Sequence, residues 1–187
     1  MFEKIIPLIC NYGRFTDEEL SLITTRLQML HFKKNSCLLK PGQICGGVYF
    51  INKGSFRQYE VNDAGDENIK NLFIDADWML EYKSFTSQKP SETFLEASEE
   101  SEVLFLNVHD MHELIKLSGV FFQLGRILEV AVQNQRYQNN KVSPEEKYAL
   151  LLTEKPELIN RFPAKFIANY LCMAPETLSR VRRKLIS

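Results

Sequence analysis

The stretch Phe162-Pro-Ala-Lys-Phe-Ile-Ala-Asn-Tyr-Leu-Cys-Met-Ala-Pro-Glu-Thr-Leu-Ser-Arg-Val-Arg-Arg-Lys-Leu-Ile186 decides how this chain reads. Phe166, Ile167, Tyr170 and Leu171 recur at helical spacing, and Ala168 is small enough for close helix approach. A break follows at Cys172-Met173-Ala174. Pro175 suits the first turn of a new helix, where its missing N–H costs nothing, and Glu176 places negative charge at the positive end of that helix. Leu178, Val181 and Leu185 form a buried stripe; Glu176, Thr177, Ser179, Arg180, Arg182, Arg183 and Lys184 lie mostly off it. Two short helices across a tight break, the second rich in arginine, is the pattern of a helix-turn-helix, whose second helix enters the DNA major groove.

Charge agrees with this reading. From Arg161 onward six basic residues face one acidic residue, a net of +5; the whole chain is −1, so the residues before Arg161 sum to −6. A basic end on an acidic body is the footprint of a DNA-contacting module. Charge alone also fits a solvated helix that binds nothing. The two-helix pattern, with an arginine at groove-facing spacing, favours DNA.

The chain has 187 residues, 44% hydrophobic and 25% charged, enough for one large or two small globular domains. No apolar run is long enough to span a bilayer, and Met1-Phe-Glu-Lys-Ile-Ile-Pro7 lacks the features of a secretory leader; a cytoplasmic location is expected. Cys10, Cys37, Cys45 and Cys172 share no metal-ligand spacing, and the pair His109 and His112 is too few for a metal site, so no metal is expected. No nucleophile elbow, P-loop or HExxH occurs, so no enzyme and no catalytic residue is expected.

Upstream, Thr16 followed by Glu19 is a capping-box pattern opening a short helix with Leu20, Ile23 and Leu27 on one face. From about His31 to Val108, short strand-like runs alternate with turn residues: Cys37-Leu-Leu-Lys40, Val48-Tyr-Phe-Ile51, Ser55–Val61, Asn68–Ile74, Thr93–Ala97 and Glu102–Leu106. Such spacing predicts an antiparallel sandwich or barrel, with Asn52-Lys53-Gly54 and Asp63–Gly65 as turns. Helical period returns at Asp110. A long helix is expected from about Ser118 to Asn140, with Val120, Leu124, Ile127, Leu128, Ala131 and Val132 as an apolar stripe that can join two subunits or cover its own β domain. Ser143-Pro-Glu-Glu146 is a second capping box, opening a helix that Lys155-Pro156 ends.

The order of parts is α+β: an antiparallel β-roll, a long connecting helix and a C-terminal all-α helix-turn-helix, with domains at 1–140 and 141–187. It resembles the Crp–Fnr superfamily of bacterial transcription regulators across nearly the whole chain. Gly46-Gly-Val-Tyr-Phe-Ile-Asn-Lys-Gly-Ser-Phe-Arg57 is similar to the family's β-roll signature, and Ile167–Arg180 to its helix-turn-helix. The resemblance implies that Glu176 and Arg180 face base edges, while Thr177, Ser179, Arg182 and Arg183 hold phosphates. The chemistry fits: arginine pairs with guanine and glutamate accepts from cytosine, whereas phosphate contacts fix register only.

Three departures bear on function. The stretch Ala76–Thr93 matches the family's phosphate-binding cassette, but Leu80 stands for its glycine, Ser91 for its arginine, and Glu92 follows. Glu81 is kept and can reach a ribose hydroxyl. A carboxylate facing a cyclic phosphate is repulsive without the guanidinium, so tight cyclic AMP binding and a nucleotide cofactor are not expected. Glu81, Ser91 and Glu92 remain the candidate pocket for an unknown small-molecule effector. Cys172 stands where a glycine is usual, so a residue with a β-carbon has to take positive φ. The sequence ends directly after the second helix, so no C-terminal wing hairpin is expected.

The leading expectation is a homodimeric, sequence-specific transcription regulator with double-stranded DNA, and possible RNA polymerase contact, as its partners. The alternative is a small-molecule sensor whose specific DNA binding is weak or lost.

Overall fold

The computed structural model describes residues 2–129 and 142–186. Two short helices come first, α1 (Ile5–Tyr12) and α2 (Asp17–Thr24); α2 opens on the Thr16–Glu19 capping box. Eight strands follow: β1 (Gln28–Phe32), β2 (Cys37–Leu39), β3 (Gly47–Lys53), β4 (Ser55–Val61), β5 (Glu67–Ile74), β6 (Trp78–Met79), β7 (Phe94–Ala97) and β8 (Ser101–Asn107). The helix α3 (Tyr82–Ser87) lies between β6 and β7. The strands form two antiparallel four-stranded sheets, ordered β1-β8-β3-β6 and β2-β7-β4-β5. This is the expected β-roll, with β1 and β6 added to the strands that sequence periodicity marks.

Glycine makes the β3–β4 corner possible. Gly54 sits at φ +111, and a β-carbon there would lie 2.1 Å from Ser101 Oγ. The β4–β5 hairpin turns through Asn62, whose side-chain oxygen accepts the amides of Ala64 and Asp66, with Gly65 at φ +85. Gln58 and Tyr59 pair with Asn71 and Ile69, so Lys70 is an extra residue that makes a bulge in β5.

After β8 comes α4 (Val108–Leu117), capped by Asn107. The helix expected from about Ser118 begins differently: Gly119–Arg126 is a 3-10 helix, and helical turns resume at 127–129. The reason is visible in the packing. Phe121, Leu124 and Ile127 are the buried side chains, three apart, and side chains at that spacing eclipse on one face of a 3-10 helix. They join the core of the β-roll rather than presenting a free stripe. Ala131, Val132, the rest of the expected connecting helix to Asn140, and the expected domain boundary there lie outside the described residues.

Four helices complete the chain: α5 (Pro144–Glu154), α6 (Pro156–Arg161), α7 (Ala164–Tyr170) and α8 (Pro175–Ile186). The Ser143–Glu146 capping box and Pro144 start α5. Their core contains Tyr148, Leu151, Leu158, Phe162, Ile167, Tyr170, Leu171, Leu178 and Val181, and it continues into Tyr59, Ile69 and Leu72 of the β4–β5 hairpin. The helical unit is thus packed on the outer face of one β-roll sheet.

Candidate nucleic-acid interface

The pair α7 and α8 is built around a turn of four residues, 171–174. Ile167, Ala168 and Leu171 are fully buried on one side; Leu178 and Val181 meet them from α8. The side chain of Leu185 lies outside the described set. Within the turn, the Cys172 amide donates to Asn169 O at 2.9 Å and the Met173 amide to Ala168 O at 2.9 Å. Cys172 takes φ +54, as its position in place of glycine requires.

With Leu178 and Val181 turned inward, the rest of α8 faces out. Glu176, Ser179, Arg180 and Arg183 are exposed, and Thr177 is half-buried. Arg182 is also half-buried and is tied to the helical unit: its Nε donates to the Tyr148 hydroxyl at 3.1 Å, and its guanidinium lies 5.7 Å from the Tyr148 ring centre. Arg182 therefore anchors α8 on α5. Lys184 pairs with Glu145 of α5 at 3.4 Å. The guanidiniums of Arg180 and Arg183 and the carboxylate of Glu176 are exposed on α8, and long polar side chains on a helix of groove-fitting width can reach base edges and phosphates together.

Sequence reasoning passed over two residues that hold this unit in place. Asn169, inside the motif, accepts the Ile69 amide at 2.6 Å and donates to Glu67 O at 2.8 Å, clamping α7 on β5. Lys147, in α5, is buried, and its Nζ donates to Leu171 O at 3.1 Å. Arg57 joins in from β4. It reaches Glu96 at 2.9 Å and pairs with Glu67, while its guanidinium lies 4.3 Å from the Tyr59 ring centre and 4.8 Å from that of Phe166 in α7. No local signal marks these contacts, because each joins residues far apart in the chain.

Each candidate effector residue has a partner within the fold. Glu81 is buried but serves as the cap of α3, accepting the amides of Lys83 and Ser84. Ser91 is buried and bonds within its own turn, donating to Thr93 O and accepting the Thr93 amide, both at 3.0 Å. Glu92 is exposed and pairs with Lys83 at 2.8 Å. Beside Ser91 runs a polar ladder that the sequence reading missed. Asn71 donates to Gln58 Oε1 at 2.7 Å, and Gln58 donates to Thr93 Oγ1 at 3.0 Å. Asn71 Oδ1 is buried without a hydrogen-bond partner. Among the described residues no group of three or more potential ligands could hold a metal ion, and no helix is long and apolar enough to cross a membrane.

Residues 29–118 match the cyclic nucleotide-binding domain family. A search of curated proteins gave no match. Among solved structures, the Thermus thermophilus catabolite activator protein is 18% identical, with 94% of this chain and 85% of that one covered and a TM-score of 0.57. FixK2 from Bradyrhizobium japonicum is 16% identical, covering 85% and 84%, with a TM-score of 0.66. The c-di-GMP responsive global regulator CLP of Xanthomonas campestris is 16% identical, covering 91% of each chain, with a TM-score of 0.60. At such identities the likeness is one of fold. Residues 29–118 thus match the cyclic nucleotide-binding domain family, within a chain whose fold is similar to those of these three proteins.

Proposed function

We propose that this protein is a sequence-specific DNA-binding transcription regulator that acts as a cytoplasmic homodimer and is not controlled by cyclic AMP. The observation that carries the reading is α8: it buries Leu178 and Val181 while presenting Glu176, Ser179, Arg180 and Arg183 outward from a basic C-terminal unit. In this reading Glu176 and Arg180 read bases, and Thr177, Ser179 and Arg183 hold phosphates. Arg182 keeps its phosphate role only as a side chain already braced by Tyr148. Two copies of α8 related by a two-fold axis would read half-sites about one helical turn apart. RNA polymerase is the partner through which a bound regulator acts.

The absence of cyclic AMP control is supported by Ser91 at the arginine position, by Glu92 beside it, and by Glu81 being engaged with α3. One observation favours a second reading, a small-molecule sensor with weak DNA binding. The ladder of Gln58, Asn71 and Thr93, with Asn71 Oδ1 unpartnered, is polar and uncharged, and suits an uncharged hydrogen-bond donor better than a phosphate.

Selection of bound sequences from a random duplex pool at near-physiological salt tests the proposal. Enrichment of a two-fold symmetric motif is expected. Salt-sensitive binding with no enriched motif would count against operator reading and for the sensor.

A further inference from the structure

Lysine is seldom fully buried, yet Lys147 is 5% exposed in the core of the helical unit. Stability alone does not account for it, since a hydrophobic residue of similar volume at a buried charged position is often neutral or stabilising. Its Nζ spans from α5 to Leu171 O, one of the carbonyls that the end of α7 leaves without an intrahelical partner. That carbonyl belongs to the peptide joining Leu171 (φ −82, ψ 3) to Cys172 (φ +54).

The left-handed conformation is unfavourable for a residue with a β-carbon. A half-turn of the Leu171–Cys172 peptide plane would carry Cys172 toward negative φ and relieve it. The same rotation would swing Leu171 O away from Lys147 and break the bond of the Cys172 amide to Asn169 O, opening the turn from which α8 starts. We propose that Lys147 is a positioning residue for the recognition helix: its hydrogen bond to Leu171 O holds the peptide in the orientation that keeps Cys172 left-handed and the turn into α8 closed. The purpose of this device rests on the DNA-binding reading; its geometry does not.

The test compares Lys147→Met, Cys172→Gly, the double variant and Lys147→Arg, by duplex binding to the selected motif and by thermal unfolding. Lys147→Met should weaken binding roughly tenfold, the effect of losing one hydrogen bond from a lysine amino group. Cys172→Gly in the same chain should restore most of that loss, because glycine holds the left-handed conformation without strain. Lys147→Arg, which keeps a donor, should retain binding if it folds. In thermal unfolding the drop in Tm from Lys147→Met should be smaller when Cys172→Gly is present. Binding unchanged by Lys147→Met, or equally weak with and without Cys172→Gly, would overturn the assignment. If the natural protein selects no motif, the DNA-binding reading fails, and the unfolding data alone decide: additive Tm changes would then dismiss Lys147 as the holder of the turn.

Discussion

The Ile69 amide donates to the side-chain oxygen of Asn169 at 2.6 Å, across 100 residues of sequence. One residue thus joins the first helix of the helix-turn-helix to the second strand of the β4–β5 hairpin, and the same Asn169 side chain donates to Glu67 O at 2.8 Å. An asparagine used on both its donor and its acceptor side fixes a helix relative to a strand in position and in rotation. The β-roll and the C-terminal helical unit are therefore mechanically linked. Gly65, Asp66 and Glu67 face Lys165, Phe166, Asn169 and Met173 across a crevice of about 420 Å³ at this joint.

Asn169→Ala removes both bonds and deprives the Ile69 amide of this acceptor. A loss of about 1–3 kcal/mol is expected, from two hydrogen bonds at about 0.5–1.5 kcal/mol each. Urea unfolding of the variant beside the natural chain measures it. An unchanged midpoint would mean that the clamp contributes nothing.

Arg57→Met should cost more. The side chains of Arg57 and Glu96 are 11% and 12% exposed, so removing the guanidinium leaves a largely buried carboxylate with the Tyr59 hydroxyl, at 2.8 Å, and the Cys37 thiol, at 4.0 Å, beside it. Breaking a buried pair from one side costs about 3–5 kcal/mol. Glu67 is 40% exposed and can regain water, which places the expected loss at the lower end. Adding Glu96→Gln should recover part of it in the same unfolding measurement. A double variant no more stable than the single one would count against the buried charge as the cause.

Much of this arrangement was legible before any coordinates, and the rest was not, for physical reasons. The capping boxes at Thr16 and Ser143 and the break at Pro156 follow from local chemistry, the left-handed Cys172 follows from the resemblance that puts a glycine there, and all are present. β6 escaped because two residues are too few to show a period, and α3 because Glu81, its cap, was read as a ligand residue. The stretch from Ser118 was misjudged in type: Val120, Leu124 and Leu128 suggest a spacing of four, but the side chains that pack are Phe121, Leu124 and Ile127. Arg57, Asn169 and Lys147 make hydrogen bonds to residues 10 to 102 positions away, and a single sequence carries no trace of such pairings.

Stability should fall on the alkaline side. Burial pushes the Cys45 thiol above its ordinary 9.0. Burial likewise raises the phenols of Tyr49, Tyr59 and Tyr12 above 10.0, with the bond to Glu96 adding to the effect at Tyr59. The folded state thus favours the neutral form of each group. Their contribution is complete below the ordinary values and is lost as pH climbs past 9.0 for Cys45, then past 10.0 for the tyrosines. Each proton contributes a slope of at most about 1.4 kcal/mol per pH unit. Urea unfolding at steps from neutral to alkaline pH should show the decline, and Cys45→Ala should delay its onset. A decline with the same onset in that variant would rule out the thiol as its first cause.

Cyclic AMP should leave the thermal midpoint where it is. A ligand that binds only the folded state at a hundredfold excess over its Kd adds about 2.7 kcal/mol, which moves a midpoint by several degrees. Ser91 offers a hydroxyl already bonded to Thr93 instead of a guanidinium, and the exposed Glu92 repels an anion. Thermal unfolding with millimolar cyclic AMP is the measurement. A clear upward shift would show that the phosphate is neutralised by some other group, with Lys83 and Lys89 the first to replace.

Arg180 and Arg183 should separate base reading from phosphate holding. Both are exposed on α8, but the match to the recognition pattern gives only Arg180 a base. Arg180→Ala should cost about 1–3 kcal/mol at one base pair of the selected motif and relax the choice there. Arg183→Ala should weaken all duplexes alike and lower the salt dependence by about one counterion. Binding of both variants to the motif, to single-base changes in it and to an unrelated duplex, over a range of salt, distinguishes the two. If Arg180→Ala weakened every duplex equally, Arg180 would be a phosphate contact, and the base reading would have to come from Glu176 and the remaining outward side chains of α8.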